Sequence, residues 1–185
     1  MNIKNTFSFI REIIQIVFIA LLIVIPIRYF LFQPFIVMGV SMEPNFHHGE
    51  YLIVDQISYR FRDPKRGEVI ILNGPGITNH FYIKRIIGLP GETIKIEDGQ
   101  IIIFNQQKKM LLDESSFLLE NIQTSGNIKY VLNQNEYFVL GDNRAASSDS
   151  RQFGALERRD IIGRAIIRAW PFTIFEIPEI SKIVL

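Results

Sequence analysis

The sequence predicts a mainly β domain, a barrel or a sandwich, carried on one N-terminal membrane-spanning helix. Two observations predict it. Residues 13–32, IIQIVFIALLIVIPIRYFLF, hold only Gln15 and Arg28 as strongly polar side chains, and the rest of the chain breaks into short β-branched runs separated by Gly, Pro, Asn and Asp. With 185 residues, 48% hydrophobic and 21% charged, the chain suits one compact domain plus an appendage and fits neither disorder nor a coiled coil. Twenty Lys and Arg against 19 Asp and Glu leave a net charge of +1 and no basic patch, so nucleic acid is not an expected partner. The absence of cysteine excludes disulfides, zinc–thiolate sites and a thiol nucleophile, so any nucleophile is an oxygen or an amine.

Residues 1–12 read as a short cytoplasmic tail and 13–32 as the anchor, which at about 1.5 Å per residue reaches across a ~30 Å hydrocarbon core. Arg28, near its end, can snorkel to the headgroups, and Pro26 is tolerated in such a helix. The apolar surface runs all the way round, unlike that of a core helix. A cleaved leader would end in small residues, whereas this segment runs on into Tyr29, Phe30, Leu31 and Phe32. Lys4 and Arg11 precede it, so the positive-inside rule places the N-terminus in the cytoplasm and residues 33–185 on the extracytoplasmic face of the plasma membrane.

Within 33–185, YLIVDQI from Tyr51, EVIIL from Glu68, HFYIKRII from His80 and EYFVL from Glu136 are predicted strands. TIKIEDGQIIIF from Thr93 is a hairpin, Asp98-Gly99 supplying the positive-φ pair of a type I′ turn. Residues 105–135 are more polar and less patterned, a variable insert leaving the core sheet. IIGRAIIRAWPFTIF from Ile161 is broken by Gly163, Arg164, Arg168 and Pro171 and gives one or two closing strands, not a second span. The run Phe35, Ile36, Val37, Met38 either lines pockets or touches lipid, or is an ordinary core strand.

Of the three histidines, His47 and His48 are adjacent and point apart in a strand, His80 is remote, and no H-E-x-x-H occurs, so no metal site is expected. There is no G-x-S-x-G elbow and no phosphate loop. Three segments carry the chemistry. GVSMEPNFHHGE, Gly39 to Glu50, sets Ser41 just beyond the membrane before a proline-initiated turn, where a plain turn hydroxyl is the bland alternative. HFYIKRIIGLPGE embeds Lys84 and Arg85 in an apolar strand; alternation sends them to opposite faces, so one points toward the core unless the strand is a solvated edge. A buried lysine loses the hydration of its charged form, and its neutral amine can take a proton from a serine. GDNRAASSDSRQFG, Gly141 to Gly154, is rich in charge and small residues together, which a loop packed on a catalytic centre has reason to be and a surface loop has not.

These blocks, in this order and with RGEVIIL (Arg66 to Leu72), resemble the bacterial type I signal peptidases, membrane-bound Ser/Lys proteases, in their compact single-anchor form. The resemblance covers most of the chain and leaves out chiefly 105–135. It implies a signal-peptidase-like β fold and a serine endopeptidase that removes signal peptides from exported preproteins, cutting after small residues. Preproteins and the lipid bilayer are the implied partners, with no cofactor and no metal. By position, Ser41 is then the nucleophile and Lys84 the general base, Ser147 orients the lysine, and the Ser41 N–H is one oxyanion donor. Asp142, Arg144, Asp149 and Arg151 support the loop behind the pair, Asp142 pairing with Arg85, and Met42 stands beside the nucleophile. Gly39 is a departure: larger members of the family carry there a serine whose hydroxyl gives the second oxyanion hydrogen bond. Asn45 and Phe46 stand for the usual Thr-Leu, and Glu68 for an aspartate. The competing expectation is an anchored, non-catalytic assembly factor of the same fold, which would lack the serine or the lysine.

Overall fold

The structure, a computed structural model, describes residues 3–30, 32–76, 80–105, 108–119, 122–171, 173–174 and 182–184. Helix α1 spans Ile3–Phe30. Its described side chains, residues 9–25, are exposed all round, among them Phe9, Ile13, Ile14, Phe18, Leu22 and Ile25. Among the described residues no helix is long and apolar enough to cross a membrane.

Thirteen strands follow among the described residues: β1 (Phe32–Ile36), β2 (Tyr51–Asp55), β3 (Val69–Asn73), β4 (Phe81–Gly88), β5 (Thr93–Glu97), β6 (Gln100–Asn105), β7 (Lys108–Leu112), β8 (Ile128–Val131), β9 (Glu136–Leu140), β10 (Leu156–Glu157), β11 (Ile161–Trp170), β12 (Thr173–Ile174) and β13 (Lys182–Val184). They form two antiparallel sheets. The larger has the order β1-β2-β11-β3-β4-β9-β10 with β12 on β11, and the smaller β13-β7-β6-β5-β8. The mainly β class and the four predicted strands are thus present, each within a residue or two of its expected ends.

Local sequence explains the pairing. The β5–β6 hairpin closes where Asp98 takes φ 50° and Gly99 φ 78°, with Glu97 facing Gln100. Alternating Ile94, Ile96, Ile101 and Ile103 turn to one face and pack against Ile87, Phe138 and Leu140 of the larger sheet, so the two sheets share a core. Each such side chain contributes roughly 1.5–3 kcal/mol by leaving water. β11 closes the larger sheet by pairing with β2 on one side and β3 on the other. Residues 105–135 are more than an excursion: β7 and β8 flank β6 and β5, so this stretch builds part of the second sheet. Its polar composition reflects strands with one wet face, β8 alternating half-buried and exposed.

Candidate active site

The chain reverses between β1 and β2, and apolar side chains decide how. Met42 and Phe46, 1% and 3% exposed, drive into a cluster with Val37, Leu52, Val54, Ile71 and Ile83. Main-chain bonds from Asn45 and Phe46 to Met42 O, each 3.0 Å, close the turn. Ser41, one residue before Met42, is left half-buried. It stands with Lys84 in the wall of a cleft of about 600 Å³ that is also lined by Phe35, Val37, Met38, Leu52, Tyr82 and His80. The segment Phe35–Met38 therefore serves both expectations, since Val37 is core while Met38 is open to the cleft and to solvent.

Lys84 lies on β4 opposite Ile70 and is 3% exposed. Its Nζ donates to Ser41 Oγ at 2.9 Å and to Ile83 O at 2.9 Å. Burial pulls its pKa down to about 8, and the nearby charges of Asp149 and Asp142 only partly oppose this. A largely dry amine with that pKa, in contact with a hydroxyl, can exchange a proton with it near neutral pH.

Alternation places one of Lys84 and Arg85 in the core; in the structure both are buried, Arg85 also at 3%. β4 lies inside the sheet, with β3 on one side and β9 on the other, and both its faces are covered. Arg85 meets Asp142 in a bidentate pair, Nε to Oδ1 at 2.8 Å and Nη2 to Oδ2 at 2.6 Å, and its Nη1 donates to Gly67 O at 2.9 Å. Its guanidinium also stacks over Phe117, 4.3 Å from the ring centroid.

The 141–154 loop is held by its charges. Asp149 caps the short helix α2 (Ser150–Phe153) and accepts from the Gly141 N–H at 3.1 Å. Arg151 grips Asp149 at 2.8 and 2.9 Å and donates to Arg144 O at 2.7 Å. Burial alone would raise the Asp149 pKa, but Arg151 and the Gly141 amide hold it below the usual carboxylate value. Arg144 reaches Glu114 at 2.9 and 2.5 Å and also Thr124 Oγ1. Residues 105–135 are thus tied to this loop.

At Gly141 a Cβ would overlap both Ser41 O and Ser147, so only glycine lets the loop lie against the Ser41 segment. Ser147 is 6% exposed and sits at this contact, its hydroxyl turned to the Asp149 carboxylate, whose pKa it helps to lower, while Lys84 bonds Ser41 and Ile83. Gly39, at φ 89°, donates its N–H to His48 Nδ1 at 3.2 Å. Glu68, buried with Tyr59 and paired with half-buried Arg62, organises the corner between β2 and β3.

Sequence reasoning missed three contributors. Asn45 Nδ2 donates to Asp142 Oδ2 at 2.9 Å and to Phe117 O at 2.7 Å, joining the Ser41 loop to the Arg85 pair. Asn143 Nδ2 donates to Val40 O at 3.1 Å. Glu50 pairs with Arg168 at 2.9 Å beneath the same loop. Both asparagines sit inside segments already singled out, but a neutral amide gives a sequence reader no charge to pair.

A crystal structure of a signal peptidase I from Enterococcus faecalis V583 is similar to this chain with a TM-score of 0.45 and 28% identity, over 56% of this chain and 97% of that one. Signal peptidase I P of Bacillus subtilis subsp. natto is 38% identical over 86% of this chain and 89% of its own. Signal peptidase I of Bacillus licheniformis is 36% identical over 92% of each chain. The family model "Signal peptidase, peptidase S26" matches residues 10–170. The chain belongs to the signal peptidase family, peptidase S26, and is an enzyme that removes signal peptides from the preproteins that carry them.

Proposed function

We propose that this signal peptidase cuts with Ser41 as nucleophile and Lys84 as general base. The observation that carries the reading is the 2.9 Å contact between Lys84 Nζ and Ser41 Oγ at a lysine whose pKa is lowered by burial to about 8. The neutral amine takes the Ser41 proton as Oγ attacks the carbonyl carbon of the scissile bond. The resulting oxyanion is met by the Ser41 N–H. Collapse breaks the C–N bond, Lys84 returns the proton to the leaving amine of the mature protein, and the signal peptide stays esterified to Ser41. A water deprotonated by Lys84 then hydrolyses the ester. Ser147, buried beside Gly141, supports the lysine side of the site, and Met42, Arg85, Asp142, Arg144, Asp149 and Arg151 hold the two loops together.

The substrate lies extended in the cleft beside β1, its backbone adding as a strand and its small side chains before the cut filling the apolar wall of Val37, Leu52 and Ile83. Residues 1–12 form a cytoplasmic tail, 13–32 the anchor and 33–185 an extracytoplasmic catalytic domain. In support, apolar side chains between Ile13 and Ile25 are exposed on every side of α1, and residues 13–32 hold only Gln15 and Arg28 as strongly polar side chains. An anchored non-catalytic factor is disfavoured because the serine and the lysine are both present and in contact.

The test is cleavage of a preprotein by the purified full-length chain in detergent, with the new N-terminus identified and Ser41→Ala run beside it. The expected outcome is cutting after a small residue at the signal boundary, abolished in the variant. Cutting that survives the loss of Ser41 rejects the assignment.

A further inference from the structure

The side-chain hydrogen bonds of Asn143 leave its amide one orientation. Its Oδ1 accepts from the Ala146 N–H at 3.2 Å, its Nδ2 donates to Val40 O at 3.1 Å, and its main-chain N–H donates to Ser41 O at 3.1 Å. A flipped side chain would face donor with donor at Ala146 and acceptor with acceptor at Val40, losing both side-chain bonds.

The Val40 carbonyl and the Ser41 N–H belong to one peptide unit. In a planar trans peptide they point in opposite directions, so holding Val40 O toward Asn143 turns the Ser41 N–H away from the 141–147 loop. Among the described residues that loop contributes nothing to the cleft wall, whereas Ser41 and Lys84 both stand in it. Away from the loop is therefore toward the cleft. Gly141 makes the arrangement possible, because any Cβ there would meet Ser41 O and push the loop out of reach.

We infer that Asn143 is a positioning residue for the oxyanion hole, its side-chain amide fixing the Val40–Ser41 peptide so that the Ser41 N–H faces the oxygen of the tetrahedral intermediate. This rests on the reading of Ser41 as nucleophile. Gly39 offers no hydroxyl as a second donor, so the aim of the Ser41 N–H carries more of the stabilisation. Without Asn143 the Val40 carbonyl keeps only the Glu43 N–H of its own turn, at 3.1 Å, and the Ser41 N–H loses the bond that fixes its aim from the side of the 141–147 loop.

The experiment compares the full-length protein with Asn143→Ala, Asn143→Asp and Ser41→Ala in detergent. It measures kcat and KM on a preprotein, the affinity for a peptide aldehyde ending in a small residue, the unfolding midpoint and the pH profile. The aldehyde adds Ser41 Oγ to its carbonyl carbon and so places an oxygen in the oxyanion position, which makes its affinity a readout that mere loop packing does not move. The expected result for Asn143→Ala is a kcat about tenfold to a hundredfold lower, an aldehyde affinity reduced by a similar factor, and a KM within about twofold. Its midpoint and the rising pH limb near about 8 stay in place. Asn143→Asp keeps the acceptor for Ala146 but has no donor for Val40 O, and is expected to lose kcat as well.

Unchanged kcat and aldehyde affinity in Asn143→Ala would overturn the inference. So would an Asp variant as active as the parent, or a loss confined to KM or matched by a falling midpoint. Cleavage that survives Ser41→Ala fells the nucleophile reading itself, and this inference with it, and is told apart because the Asn143 variants play no part in that result.

Discussion

Lys84 and Arg85 are consecutive on β4, equally buried at 3% exposure, and treated in opposite ways. Arg85 is met by a fully buried carboxylate with two hydrogen bonds, a carbonyl and an aromatic face. Lys84 is met by a hydroxyl, a carbonyl and the Tyr82 ring 5.5 Å away but by no carboxylate, Asp142 and Asp149 acting only from a distance. A guanidinium cannot shed its proton in a protein, so burying it demands a partner; an ammonium can, so burying it without one lowers its pKa. The strand thus holds one permanent charge tied into the structure and one switchable amine, available for the proton transfer proposed for it, and the surroundings make the difference.

The sharpest way to break this comparison is to remove the amine. Lys84→Met is expected to lower kcat/KM at least about a thousandfold, and Lys84→Arg to be no better, because arginine stays protonated. Stability should move the other way. The folded-state pKa of about 8 lies below the ordinary 10.5, so the cost of burying the ammonium is fully present below pH 8 and is relieved as pH rises from there to 10.5. Lys84→Met should therefore be the more stable protein at pH 6.5, by on the order of 1–3 kcal/mol, and lose that advantage by pH 10. Denaturant titrations at the two pH values check this. A variant destabilised at pH 6.5 would mean that the amine is paid for by contacts to Ser41 and Ile83.

The mirror experiment is Asp142→Asn, which leaves the Arg85 charge buried without its counter-charge and should cost about 3–5 kcal/mol, read by denaturant unfolding. Replacing both partners, Asp142→Leu with Arg85→Met, should restore much of the loss. Because Asp142 raises the Lys84 pKa, its neutralisation should also move the rising limb of activity to lower pH, below about 8. A limb that stays put would remove Asp142 from the electrostatics of the site.

How much of this was legible in sequence follows from what kind of information each feature carries. The β class, the hairpin at Asp98-Gly99 and the charged loop at Gly141 to Gly154 are local patterns and were readable. Alternation is local and offers only a choice between Lys84 and Arg85 for the core, whereas β4 is covered on both faces by segments distant in sequence. The tie from Arg144 to Glu114 and Thr124 was invisible for the same reason, so residues 105–135 read as detached. Asn45 and Asn143 act through neutral hydrogen bonds whose partners only the fold brings near.

Gly39 gives the smallest expected effect and tests whether placement outweighs residue type here too. Supplying the hydroxyl found in larger relatives looks like a repair of the oxyanion hole. The backbone, however, takes φ 89° at Gly39, where any L side chain is strained by about 1–3 kcal/mol, although a Cβ there meets nothing within 4 Å. A Cβ on Gly39 points into open space and the glycine does not line the cleft, so the expectation is that a hydroxyl on it stays out of reach of the intermediate. Gly39→Ser and Gly39→Ala are therefore expected to share the same small drop in unfolding midpoint, and the same kcat within about twofold of each other. The Ala variant carries the strain without the hydroxyl, so their difference isolates the hydroxyl alone. A serine variant at least tenfold faster than the alanine one would show that the turn rearranges to bring the group in, and that side-chain identity rather than backbone placement limits this site.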